Sequence, residues 1–115
     1  MRVNESDIDW QDSGDLAVHR GAPYTGEVVE TIANGNVVSS THFVDGRQEG
    51  TARIWFPDGT LRNEWTLVNG HAVGTSRSWH ANGALAEEEV YDDTGRMLAH
   101  RRWAEDGAVL KDVTY

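Results

Sequence analysis

Apolar and polar residues alternate along most of this chain in short runs, and a glycine-bearing turn cuts each run from the next. VVSSTHFV, LRNEWTLV, AVGTSRSW, ALAEEEVY and MLAHRRW all keep a period near two, the mark of half-buried strands; none holds the 3.6-residue period of a helix. ALAEEE has a helical composition, yet it stands in register with VVSSTH and LRNEWT and reads as strand. The punctuation is regular. WFPDGTL at 55–61, WHANGAL at 79–85 and WAEDGAV at 103–109 are spaced 24 residues apart.

The repeated element is a large residue, three variable residues, Gly, one residue and an aliphatic. It occurs at Trp10–Gly14–Leu16, Trp55–Gly59–Leu61, Trp79–Gly83–Leu85 and Trp103–Gly107–Val109, with a weaker copy at Thr31–Gly35–Val37. Three further series run in phase: Phe43, Leu67, Tyr91 and Tyr115; Gly26, Gly50 and Gly74; and Gly46 and Gly70, continued at Gly95 after one inserted residue in DDTG. A repeat of this kind fixes the fold before any single residue does. The Asx-Gly pairs ending in Gly35, Gly59, Gly83 and Gly107 are hairpin turns. A three-residue loop closed by a left-handed Gly suits Pro57 at the first turn position and sets Trp55 opposite Leu61, Trp79 opposite Leu85 and Trp103 opposite Val109. The turns at Gly46, Gly70 and Gly95 join one hairpin to the next. The expectation is an all-β chain, an elongated antiparallel meander of repeated hairpin units of about 24 residues, whose contacts run only between neighbours. As one domain over 1–115 it has a lead-in at 1–9 and units at about 10–25, 26–49, 50–73, 74–97 and 98–115.

Composition sharpens this picture. Nineteen acidic against 10 basic residues give a formal charge of −9, which disfavours nucleic acid and anionic membrane and favours a basic protein partner. The absence of cysteine removes disulfides, thiol nucleophiles and thiolate metal sites. The N-terminus lacks the apolar stretch of a secretory signal, and no run approaches a membrane span. A cytoplasmic location fits these features.

The unit G-x4-W-x3-G-x-L, followed by an aromatic or a Leu-x-x-G, resembles the variant MORN repeat of bacterial proteins. GAPYTGEVVETIANGNVVSSTHFVDGRQEG, followed by the W-x-x-[ND]-G-x-L copies, resembles more narrowly the YwqK-type antitoxin family, over about residues 10–115. The resemblance implies a β-hairpin repeat protein that acts as an immunity protein, binding and neutralising a bacterial toxin. Thr31, where an aromatic is usual, and Leu98-Ala99-His100, where the unit-opening Gly is missing, depart from the pattern.

No catalytic constellation stands out. His19, His42, His71, His80 and His100 show no metal-ligand spacing, the serines lie in no nucleophile elbow, and the glycines build no phosphate cradle. The expectation is a protein that is not an enzyme and holds no metal or cofactor. Trp55, Trp79 and Trp103 read most simply as buried rungs; on a single-layer sheet they become a half-exposed interaction stripe. Trp65 is a stronger contact candidate, because Thr41, Glu89 and Val113 hold its equivalent positions. Glu87, Glu88, Glu89, Asp92 and Asp93 form the densest acidic cluster, with Glu87 and Glu89 expected on the face of Leu85 and Tyr91 and Glu88 on the other. Such a cluster either keeps a wet face soluble or meets a partner's Lys and Arg. The expected partner is a basic, nucleic-acid-targeting toxin, bound by a monomer or weak homodimer without nucleic acid or membrane. The alternative is a MORN-type scaffold or membrane-apposed module.

Overall fold

A computed structural model describes residues 1–115. Thirteen strands follow in order: β1 (Arg2–Asn4), β2 (Asp9–Gln11), β3 (Leu16–His19), β4 (Ala22–Pro23), β5 (Gly26–Thr31), β6 (Val37–Val44), β7 (Arg47–Gln48), β8 (Gly50–Trp55), β9 (Leu61–Val68), β10 (His71–Trp79), β11 (Leu85–Tyr91), β12 (Met97–Trp103) and β13 (Val109–Thr114). From β5 onward the chain is the antiparallel meander that the repeats predict, a sheet ordered β1-β5-β6-β8-β9-β10-β11-β12-β13 with β7 beside β6. The molecule measures 49 × 37 × 22 Å.

Turn chemistry sets this register. In each three-residue loop the Gly N–H donates to the carbonyl three residues back, Gly59 to Phe56 at 2.9 Å and Gly83 to His80 at 2.9 Å. The Asx side chain of the same loop accepts the next amide, Asp58 from Thr60 at 2.9 Å and Asn82 from Ala84 at 2.9 Å. Gly59 has φ of 95°, which a side chain adopts only at a cost. Trp55 consequently faces Leu61, Trp79 faces Leu85, Trp103 faces Val109 and Thr31 faces Val37. On the other edge, Asp45-Gly46 and Asn69-Gly70 are two-residue turns with positive φ at both positions, the type I′ requirement. The residue inserted in DDTG turns the third of these into the other class: Gly95 N–H donates to Asp92 at 3.0 Å and Asp92 N–H to Arg96 at 2.9 Å.

Just inside each loop the register jumps by one residue. Ile54 pairs with Asn63 but Trp55 with Leu61, and Ser78 pairs with Glu87 but Trp79 with Leu85. The bulge residues Arg62 and Ala86 therefore put the Trp–aliphatic pairs on one face and their inner neighbours on the other. The sequence reading set Glu87 and Glu89 on the face of Leu85; the bulge at Ala86 sends Leu85 to the opposite face, and only Tyr91 stays with the two glutamates.

The N-terminal quarter departs from the meander. β1 runs parallel to β5, pairing Val3 with Val28, and Glu27 on β5 accepts from Arg2 at 2.6 Å and Ser40 at 2.5 Å. Those two hydrogen bonds hold its carboxyl below the usual glutamate range. The first repeat copy forms a separate three-stranded sheet, β2-β3-β4, where Trp10 pairs with Ala17 and Leu16 with Gln11. This small sheet covers one face of β5 and β6, and the core lies there: Ile8, Ala17, Tyr24, Val28 and Phe43, with Val3 against them. Gly46 locks it in place. Its carbonyl accepts from Ala17 at 2.8 Å and its N–H donates to Tyr24 at 2.8 Å, and a Cβ there would meet Leu16 Cδ1 and lie 3.0 Å from the Ala17 oxygen. Beyond β6 the sheet is a single layer.

Gly59 and Gly46 both have left-handed φ, but only Gly46 is crowded. Gly59→Ala is expected to lower unfolding free energy by about 1–2 kcal/mol, the left-handed cost alone. Gly46→Ala adds overpacking of about 1–3 kcal/mol and should uncouple the small sheet. Denaturant unfolding of the two variants, followed by Trp fluorescence, checks the difference.

Candidate functional site: the two faces of the single-layer sheet

Cross-strand pairing sorts β8–β13 into two faces of different character. One face repeats. Arg53, Arg77 and Arg101 occupy equivalent positions on β8, β10 and β12, and Glu64, Glu88 and Asp112 do so on β9, β11 and β13. Arg53 Nε lies 2.7 Å from Glu64, Arg77 Nε 3.1 Å from Glu88, and Arg101 reaches Glu88 and Asp112 at 3.1 Å each. Two residues after each Arg come Trp55, Trp79 and Trp103, paired with Leu61, Leu85 and Val109. A charge ladder and an apolar stripe thus run side by side across six strands. These three Trp are half-buried rather than buried as rungs, because no second layer stands over them; each is covered sideways by its neighbours. The ladder was readable in the sequence as two more series with a 24-residue period, and the sequence reading passed over it. Glu88, singled out there with its neighbours, belongs to this ladder, with its side chain 18% exposed between two guanidinium groups.

The opposite face keeps the period at Leu67 and Tyr91 but varies at its other positions. Where one unit has Thr41 the next have Trp65, Glu89 and Val113; Ser39 becomes Asn63, Glu87 and Lys111; Ala52 becomes Ser76 and His100. We call this the open face. Opposite Trp65 the β9–β10 register slips, from Val73↔Thr66 to Arg77↔Glu64. The slip leaves a shallow depression of about 200 Å³, lined by Trp65 and Asn63 of β9, Ser76 and Ser78 of β10, and Glu87, Glu89 and Tyr91 of β11, with Glu64 and Arg77 at its margin. Trp65, Glu87 and Glu89, chosen separately from the sequence, line one site.

The two carboxylates are held from both sides. Tyr91 Oη donates to Glu89 at 2.5 Å, His100 Nε2 lies 2.7 Å from Glu87, and Arg102 Nε lies 3.8 Å from the same carboxylate. Burial, the bond to Glu89 and the charges of Glu89 and Glu87 push the Tyr91 phenol up to about 12. Ligand atoms of Glu87, Glu89 and His100 lie within 4.8 Å of one another, a set able to hold a divalent cation in competition with Arg102. Motif spacing could not reveal it, because the ligands come from two strands. Ser76 and Ser78 stand opposite Glu89 and Glu87 across β10 and β11, so the site presents fixed charge, hydroxyls and an aromatic wall.

The remaining candidates build turns. Asp92 accepts from the Thr94 hydroxyl at 2.6 Å and from the amides of Arg96 at 3.0 Å and Thr94 at 2.8 Å, which lowers its carboxyl pKa; Asp93 is exposed on the same turn. His80 Nε2 reaches the Trp103 carbonyl at 2.8 Å, and Asn82 donates to Glu105 O at 3.1 Å, so successive loops brace one another along the edge.

The two faces respond differently to substitution. Glu88→Gln should cost about 1 kcal/mol of stability, since an exposed pair gives less and this carboxylate joins two; Glu89→Gln should cost less. A double-mutant cycle of Glu88 with Arg101 in urea measures the coupling. For Tyr91, the folded state keeps its proton between pH 10 and about 12 while the unfolded state loses it. Its contribution is therefore full below pH 10 and disappears through that window. Alkaline unfolding of Tyr91→Phe should lack that part of the decline.

The family described as MORN repeat variant matches residues 48–69 and 72–93. Those two spans begin at Gln48 on β7 and at Ala72 on β10, so each holds one hairpin of the meander. No curated protein sequence matches the chain. Among solved structures, the crystal structure of accessory secretory protein 1, 2 and 3 in Streptococcus pneumoniae is similar, with a TM-score of 0.41 and 19% identity over 91% of this chain. This chain spans 20% of that one. No helix here is long and apolar enough to cross a membrane. The hairpins of 48–69 and 72–93 are thus similar to MORN-variant repeat units.

Proposed function

We propose that this protein works by binding another protein on its open face, as an antitoxin-type immunity protein that covers the active cleft of a basic, nucleic-acid-targeting bacterial toxin. One observation carries the reading: the face whose positions differ from unit to unit gathers Trp65, Glu87 and Glu89 around one depression. The repeated face satisfies its own charges. An aromatic wall beside two half-exposed carboxylates receives an Arg or Lys side chain through ion pairing and a cation–π contact. A formal charge of −9 speeds encounter with a positively charged partner. The resemblance to YwqK-type antitoxins points the same way.

A structural scaffold is the second reading. It is favoured by the array itself, in which stacked units give a thin, extended body whose repeated face has no individual chemistry.

The test is capture from the source organism with tagged wild-type protein and with a Glu87→Lys/Glu89→Lys variant. The expected result is a basic protein retained by the wild type, released at high salt and lost by the variant. Expressed alone, it should arrest growth, and co-expression of the wild type should relieve the arrest. Retention of lipid, or capture indifferent to both substitutions and without toxicity, overturns the antitoxin reading in favour of the scaffold.

A further inference from the structure

Three Asn-Gly pairs sit at turn tips: Asn34-Gly35, Asn69-Gly70 and Asn82-Gly83. The fold treats them differently. Gly35 N–H donates to Ile32 at 2.8 Å and Gly83 N–H to His80 at 2.9 Å, whereas Gly70 N–H donates to nothing. The side chains divide in the same way. Asn34 and Asn82 each accept the amide two residues on at 2.9 Å, and Asn82 also donates to Glu105 O at 3.1 Å. The Asn69 side chain is exposed and unbonded; only its backbone N–H is engaged, by the Glu49 carboxylate at 3.2 Å. Space around this turn is open, since a Cβ on Gly70 would meet no atom within 4 Å.

We infer that Asn69 is a self-modification site, at which the side-chain amide converts to aspartate and isoaspartate through a cyclic imide. The Gly70 nitrogen bonds to Asn69 Cγ. The side-chain nitrogen leaves as ammonia, taking up the proton that the Gly70 nitrogen gives up. Water then opens the imide: at Cγ to give aspartate, or at the backbone carbonyl to give isoaspartate. Attack needs a free glycine nitrogen and a side chain free to turn toward it, and at Asn34 and Asn82 both are tied. Aspartate fits the turn, because Asp45 holds the equivalent place with φ of 49° against 51° for Asn69. Isoaspartate does not. It carries the main chain through Cβ and Cγ, one carbon longer, and a two-residue type I′ turn has no room for it. Only three pairs, His71↔Val68, Ala72↔Leu67 and Val73↔Thr66, separate this turn from the register slip. The isoaspartyl form therefore loosens the end of the β9–β10 hairpin beside the open-face depression.

The test is to age the full-length protein in mildly alkaline buffer and follow each Asn-Gly peptide by mass spectrometry. Asn69 should convert first, with Asn34 and Asn82 about tenfold slower, the factor that one or two hydrogen bonds of ordinary strength impose. In denaturant the three should convert at similar rates. The isoaspartyl fraction, separated by chromatography, should exchange the amides of residues 66–73 faster than fresh protein, while an Asn69→Asp variant should match fresh protein. Conversion of Asn34 or Asn82 as fast as Asn69 in the native state, or an order that persists in denaturant, overturns the assignment of the site. Equal exchange in the isoaspartyl fraction and Asn69→Asp overturns the loosening of the hairpin.

Discussion

Gly35, Gly59, Gly83 and Gly107 end their three-residue loops at φ between 85° and 95°, and the rest of the sheet depends on that backbone state. A left-handed residue at this position closes a type I turn and fixes which residues face each other across the hairpin. Once Trp55 faces Leu61, the bulge behind it decides which residues share a face, and a slip of one residue would exchange the two faces wholesale. The Asx carboxylates and amides add a hydrogen bond inside each loop. Register is thus specified locally, loop by loop, with almost no help from a core.

That independence is what allows a single layer. Only 11 of 115 residues are buried, so the meander cannot be held by a packed interior. It is held by lateral contacts: Trp against aliphatic, Arg against carboxylate, strand after strand. Spending one face on this repeated work leaves the other free to differ from unit to unit. There Trp65, Ser76, Glu89 and His100 stand side by side without obeying any period.

Much of this was legible in the sequence. The turns, the pairing of Trp with the aliphatic, and the meander all follow from residues whose conformational needs are strict, Gly and Asx above all. The face of Leu85 was not legible. A bulge at Ala86 arises from how two strands fit, and strict alternation cannot register it. The N-terminal sheet escaped for a related reason: Trp10–Gly14–Leu16 copies the motif, but Asp12 and Ser13 adopt positive φ, and the hairpin folds over the core instead of extending the meander. The grouping of Trp65 with Glu87 and Glu89 is a tertiary fact, visible only once the β9–β10 slip is known. The Arg and Glu series, by contrast, was written plainly at the repeat period and needed only to be read as charge.

The placement of the core has a consequence for how the chain opens. Ile8, Ala17, Tyr24, Val28 and Phe43 anchor one end, while stability beyond β6 is a sum of neighbour terms. Local unfolding is then graded: hydrogen exchange should be slowest around β3, β5 and β6, beside the core, and faster in the single-layer hairpins. Folding has the opposite polarity, zipping from the anchored end across contacts that are mostly local in sequence.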